Sequence, residues 1–197
     1  MGNMRSFEFA RKMENKKPVV VDGKEVQAYP EAQLPEYQTA YAAGADFFCA
    51  EEVVIPSIWS QVVKVMRDMG VESDNCGYRN IEEGSEWHRI KPTLVHTGIK
   101  SNMRNYEGLF LYNRSSNPKK LGLVLANGVG VVDADYFENE DNDGEIMFAF
   151  YNFLPWSVTL KVGDRIGQGI FQEYRRPEKG LRVKNVERTS GFGSTGQ

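Results

Sequence analysis

Short runs of β-branched and aromatic residues, each cut off by Gly, Pro or Asn, set the rhythm of this chain, at 19–21, 46–54, 108–112, 121–125, 129–132, 146–150, 158–162 and 166–173. Runs of this length separated by turn residues predict an all-β sandwich or barrel. Between 121–125 and 129–132 stands Asn127-Gly128, two residues comfortable at positive φ, and the pair predicts a tight hairpin joining two paired strands. One segment has a different period. From Ser57 onward Trp59, Val62, Val63, Met66 and Met69 recur at helical spacing and Gly70 stands where a helix should end. A single amphipathic helix packed on the body is expected there. The polar, Gly-containing stretch at 72–86 reads as a surface excursion.

Composition narrows the picture. With 197 residues, 41% of them hydrophobic and 12% aromatic, the chain can bury one substantial core, and a single domain over 1–197 is expected. A formal net charge of -3 offers no broad basic surface, so a nucleic-acid partner is not expected and any phosphate must be gripped locally. Two cysteines, Cys49 and Cys76, are too few for a disulfide framework, and His88 and His96 share no zinc-ligand spacing with them. No apolar run reaches membrane-spanning length and the first 17 residues lack a signal-peptide core, so the cytoplasm is expected and a membrane partner is not.

The candidate chemistry is weak piece by piece. Gly191-Phe192-Gly193-Ser194-Thr195-Gly196 has the spacing of a pyrophosphate cradle, but one remaining residue leaves no room for the helix that such a cradle opens. A closing flap would explain the pattern, with Phe192 stacking on a base and bare backbone amides meeting phosphate; a loose end is the plainer alternative. Arg114-Ser115-Ser116 could offer a guanidinium fork and two hydroxyls to a phosphate, or form an ordinary turn. Strand alternation through Val131-Val132-Asp133-Ala134-Asp135-Tyr136 would put both aspartates on one face. There Asp133 could activate a water, cap a turn or simply be solvated. Asp46 either touches a metal's water shell or bonds its own loop.

Taken in order, these segments closely resemble the five motifs of the trimeric dUTP pyrophosphatase (dUTPase) family, in a phage/Firmicutes-like variant with an insertion at 57–89. The first motif resembles Ala43-Gly44-Ala45-Asp46-Phe47-Phe48-Cys49-Ala50, and the second is Arg114-Ser115-Ser116. The third runs from Gly128 through Asp133 to Tyr136 and resumes at Gly144-Glu145-Ile146. The fourth is Gly163-Asp164-Arg165-Ile166-Gly167-Gln168, and the fifth is Arg188 with 191–196. The match extends from about Leu34 to the C-terminus.

The resemblance implies a jelly-roll-like β fold, a homotrimer, and active sites at subunit junctions closed by a neighbour's tail. It implies hydrolysis of dUTP to dUMP and pyrophosphate, with Mg²⁺ on the phosphates and Asp46 holding its water shell. Asp133 would deprotonate the water that attacks the α-phosphorus. Arg114, Ser115, Ser116, Gln168, Arg188 and Ser194 would grip the phosphates, Phe192 would cover the uracil, and Tyr136 would lie under the deoxyribose. Asn127, Gly130, Val132 and Gly193 complete the implied substrate-binding set. Viral members of the family also serve as partners of repressors, which implies a protein partner for 57–89.

Three positions depart from the family pattern: Asn113 stands where Pro is common, 137–143 lengthens the turn after Tyr136, and Arg188 precedes Phe192 by one residue fewer than in many relatives. The nearest rival is dCTP deaminase, which shares the fold and much of the third motif. Its catalytic Glu would fall at Ala149, and without that carboxylate the acid–base group is missing.

Overall fold

The computed structural model describes residues 5–11, 19–21, 24–26, 29–68 and 89–179. Its strands are β1 (Ser6–Phe9), β2 (Val19–Val21), β3 (Lys24–Val26), β4 (Ala45–Phe48), β5 (Val53–Ile55), β6 (Thr93–His96) and β7 (Ile99–Asn102). After them come β8 (Glu107–Asn113), β9 (Leu123–Leu125), β10 (Gly130–Val132), β11 (Met147–Asn152), β12 (Val158–Leu160) and β13 (Arg165–Glu173). One α-helix, α1 (Ile58–Asp68), interrupts them between β5 and β6. A four-stranded sheet in the order β10-β8-β13-β4 packs against a three-stranded sheet in the order β6-β11-β9, and three strand pairs, β1-β7, β5-β12 and β2-β3, complete the pairing.

The core lies between the two larger sheets. Phe47, Leu109 and Ile166 from the first meet Val95, Leu123 and Phe148 from the second, all buried. Removing a side chain of this size from water contributes about 1.5–3 kcal/mol each, which is what holds short strands with little intrinsic stability. Gly167 is required by this packing: a Cβ there would fall 2.0 Å from Phe148 Cε1, so the two sheets can close only over a glycine. This is the all-β, jelly-roll-like sandwich that the run pattern and the resemblance led one to expect.

Three local expectations are corrected. The segment 121–132 is not a pair of strands bonded to each other: β9 pairs with β11 and β10 with β8, so the segment crosses from one sheet to the other. Asn127-Gly128 does turn the chain, with Gly128 at φ 68 and its N–H bonded to Leu125 O at 3.1 Å, but the turn is the corner of the sandwich. Three-residue strands gain more by joining longer neighbours than by pairing with each other. The alternation expected through Asp133–Tyr136 also stops early, because Ala134–Tyr136 forms a 3-10 turn instead of strand. The run at 46–54 divides into β4 and β5.

Helix α1 starts at Ser57, whose Oγ accepts the Trp59 N–H at 3.2 Å, as an N-cap should. Its fully buried residue is Val65, which lies outside the stripe expected from the sequence; Trp59 and Val63 are each 53% exposed. The Trp59 indole rests at the surface because its Nε1–H donates to Phe153 O at 3.0 Å. Met69 and Gly70, where the helix was expected to end, lie outside the described residues. No helix among the described residues is long and apolar enough to cross a membrane.

Candidate active site

Two groups of candidate residues are held on different parts of the first sheet. The first gathers where β4, β8 and β13 run side by side. Asp46 on β4 and Gln168 on β13 are register partners, and Gln168 also faces Tyr112 of β8. Gly44 lets this happen: a Cβ there would lie 2.7 Å from Gln168 Oε1, so the first and fourth motifs are in direct contact. Asp46 is buried, and its Oδ2 is 3.3 Å from Arg165 Nη1, which also donates to Gln38 Oε1 at 3.0 Å. Arg165 is thus a member of this group that sequence reasoning missed; its place in the fourth motif, three residues before Gln168, was the available signal.

Arg114 follows the last residue of β8 and donates from Nη1 to Arg165 O at 3.0 Å, which orients the guanidinium beyond the strand end. Ser115 and Ser116 lead into a π-helical turn, Asn117–Leu121. Asn117 fixes that turn by donating from Nδ2 to Asn113 Oδ1 at 2.8 Å and to Ile166 O at 2.7 Å. Asn113 donates in turn to Leu123 O at 2.9 Å. The residue that departs from the family's proline therefore has a use, tying the phosphate-gripping candidates to both sheets.

The second group lies on β10 and just beyond it. β10 is the edge of its sheet, so no strand among the described residues covers the backbone groups on its outer side. Gly130 pairs with Leu111 and Val132 with Leu109, both buried. A Cβ on Gly130 would come within 3.4 Å of Asn127 Nδ2, which places that exposed amide beside the strand edge. Asp133 follows, solvent-exposed, with φ -81 and ψ 158; its main-chain carbonyl accepts the Tyr136 N–H at 3.1 Å, while its carboxylate does not cap the turn. The turn-capping alternative for this side chain is thereby removed; the solvated and the water-activating alternatives stand.

Tyr136 is 7% exposed, and its hydroxyl donates to Glu145 O at 3.1 Å and accepts from Asn142 Nδ2 at 2.8 Å. Ala149, buried in β11, accepts the Ala126 N–H at 2.9 Å, so the position where a deaminase would need its carboxylate borders this corner and carries only a methyl group. Cys49 offers no nucleophile, since burial pushes its thiol up to about 11.

Within one copy of the chain the groups do not meet. Continuing the β10–β8 register sets Asp133 level with Gly108, whereas Arg114 lies six residue steps further along β8, about 20 Å at roughly 3.3 Å per residue. Arg188, Phe192, Gly193 and Ser194 lie outside the described residues.

The metal-directed candidate, Asp46, presents a hard carboxylate oxygen beside Arg165 and across the sheet from Gln168. Among the described residues no three His, Cys, Asp or Glu side chains gather into a cage. Such a donor set fits an ion held mainly by phosphates and their water shell, as Mg²⁺ is, and not a metal held by protein alone.

The chain is thus an all-β sandwich that carries Arg114 and two serines at one strand end and an exposed aspartate, Asp133, at another. The profile of the dUTPase family matches residues 86–196, more than half of the sequence, and the chain belongs to the dUTPase family. It is 45% identical over 103 residues to a deoxyuridine 5'-triphosphate nucleotidohydrolase of Lactococcus lactis, covering 52% of this chain and 69% of that protein. A counterpart in Desulfitobacterium hafniense is 32% identical over 168 residues, covering 83% and 87%. Among solved structures, the dUTPase of Streptococcus mutans superposes with a TM-score of 0.58 at 30% identity, covering 88% of this chain and 98% of that one. The dUTPase of Staphylococcus aureus phage phi11, described with a structural Mg(II) ion, shares the fold at a TM-score of 0.56 and 16% identity, covering 94% and 98%.

Proposed function

We propose that this chain hydrolyses dUTP to dUMP and pyrophosphate at sites shared between copies of a homotrimer. The observation that carries the reading is the separation of the exposed Asp133 carboxylate from the Arg114–Asp46–Gln168 group on one sheet. Two copies set side by side supply to one triphosphate what a single copy keeps apart.

Asp133 orients the attacking water and takes its proton as the oxygen approaches the α-phosphorus, with pyrophosphate leaving in line. Arg114, Ser115, Ser116 and Gln168 hold the phosphate oxygens, joined by Arg188 and Ser194, while Phe192 and Gly193 of the tail close over the uracil. When bound, Mg²⁺ neutralises charge on the phosphates, with Asp46 holding its water shell. Uracil presents acceptor, donor and acceptor along one edge, and the uncovered outer side of β10 near Gly130 and Val132, with Asn127, offers the complementary backbone pattern. Cytosine would leave buried polar groups unpaired, at about 1–3 kcal/mol each, and the thymine methyl group is refused by shape. Tyr136, fixed by its two hydrogen bonds, is the wall against which the 2′-carbon of the sugar rests.

The test is pyrophosphate release from dUTP, UTP, dTTP and dCTP, with Mg²⁺ or with a chelator. Release from dUTP alone and only with Mg²⁺ is expected; ammonia from dCTP, or equal release from UTP, would overturn the reading.

A protein partner engaging 57–89 is favoured by one observation, the half-exposed Trp59 and Val63 on α1. Deleting residues 60–86 is expected to leave hydrolysis measurable and to abolish capture of such a partner; unchanged capture would contradict it.

A further inference from the structure

The lengthened turn after Tyr136 is built around polar groups that are almost wholly buried. Asn139 and Asn142 are 5% and 3% exposed. Asn139 donates from Nδ2 to Tyr136 O at 3.0 Å and to Asn142 Oδ1 at 2.8 Å, and its own Oδ1 accepts the N–H groups of Asp141 and Asn142. Asn142 Oδ1 accepts the Gly144 N–H at 3.1 Å, while its Nδ2 donates to the Tyr136 hydroxyl at 2.8 Å and to Glu145 O at 3.2 Å. The side chain of Asn142 therefore joins the turn to the ring it follows.

The ends of the turn are clamped from another strand. Glu138 and Asp143 have φ of 55 and 60, a left-handed backbone that is uncommon for residues with a side chain, less so for Asp than for Glu. Lys100 of β7, 2% exposed, supplies the hold, donating from Nζ to Glu138 Oε1 at 2.9 Å and to Asp143 Oδ2 at 3.1 Å. Arg11 adds its backbone N–H to Asp143 Oδ2 at 2.7 Å and its guanidinium to Glu138 at 2.8 Å. The Asp143 carboxyl is held below the usual carboxylate range: burial opposes this, but the Arg11 N–H and the Lys100 ammonium outweigh it. A buried lysine is costly unless paired, so its two carboxylate partners mark a clamp and not a chance contact.

We propose that Asn142, with the turn clamped by Lys100, is a positioning residue that sets the depth of the Tyr136 ring and thereby the enzyme's preference for deoxyribose over ribose. The inference rests on the reading of Tyr136 as the sugar-facing wall. With the hydroxyl gripped from two sides and the turn ends pinned, the ring cannot yield to make room for a 2′-hydroxyl. Without the grip it can recede, and a displacement of about 1 Å at a reacting site changes rates by up to about 10²-fold.

The experiment compares kcat/KM for dUTP and UTP in the full-length protein, in Asn142→Ala, in Tyr136→Phe and in the double variant, each checked for cooperative melting above the assay temperature. Asn142→Ala is expected to lower the dUTP/UTP ratio about tenfold, mainly through a gain on UTP, with the kcat for dUTP falling less. Tyr136→Phe removes only the gripped hydroxyl; it is expected to lower the ratio similarly, and Asn142→Ala is expected to add little to it, as for two ends of one contact. Should Asn142→Ala fail to fold, Tyr136→Phe alone decides. An unchanged ratio in the folded variants, or additive losses in the double variant, would overturn the inference while leaving dUTP hydrolysis intact. Unaltered protein that releases no pyrophosphate from dUTP would instead overturn the reading on which it rests.

Discussion

Asp133 and Arg114 stand at opposite ends of β8: the first is level with Gly108, the second follows Asn113, and the guanidinium of Arg114 is drawn further off by its bond to Arg165 O. At about 20 Å apart along the strand, at roughly 3.3 Å per residue, the proposed base and the proposed phosphate anchor cannot serve one α-phosphate from the same copy.

Complementation between inactive variants follows from that distance. Asp133→Asn keeps the phosphate grip but loses the base, and its turnover is expected to fall by about 10² or more. Arg114→Ala loses the grip and keeps the base. Co-folded in equal amounts, the two are expected to regain activity at about a quarter of the sites, those that pair an intact base from one copy with an intact anchor from another. A mixture as inactive as its components would place the whole site within one copy.

Truncation before Gly191 is expected to reduce turnover severely while leaving the oligomer intact by light scattering, because the tail would exclude water and complete the site. Full activity in the shortened chain would remove Phe192, Gly193 and Ser194 from the mechanism.

Acid stability is expected to depend on the contact between Arg5 and Glu107. Glu107 is fully buried, and its carboxyl is held below the usual range first by the hydrogen bond from Arg5 and then by the Arg104 N–H, with burial opposing. A carboxyl depressed in the folded state stabilises the fold above its unfolded pKa, and that stability is lost as pH falls through the folded value. Arg5→Ala is therefore expected to move the acid-unfolding midpoint, followed by circular dichroism, to higher pH. An unmoved midpoint would show that the pair does not contribute.

Legibility in the sequence divided along a physical line. Longer apolar runs, as at 108–112 or 166–173, were plain, whereas the four-residue strands β1 and β6 were not seen although Phe7, Phe9 and Val95 pack into the core. β7 was not seen, because two of its buried residues are the polar Lys100 and Ser101, and Lys100 is buried only by grace of Glu138 and Asp143, about forty residues away. No local pattern reports a partner at that separation. The corner at Asn127-Gly128 was read correctly as a turn and wrongly as a hairpin for a related reason: local residues fix the bend, whereas the partner strands, β8 and β11, are chosen by the packing of whole sheets. Among the site candidates, Asp46 and Gln168 were found as separate motifs and proved to be cross-strand partners. Arg165 was passed over because its value lies in bridging Asp46 and Gln38.

Attack by water on the α-phosphorus of dUTP can be read from the reaction run with Mg²⁺ in heavy-oxygen water, with both products weighed by mass spectrometry. One heavy oxygen is expected in dUMP and none in pyrophosphate. Label in the pyrophosphate, or products other than these two, would contradict it.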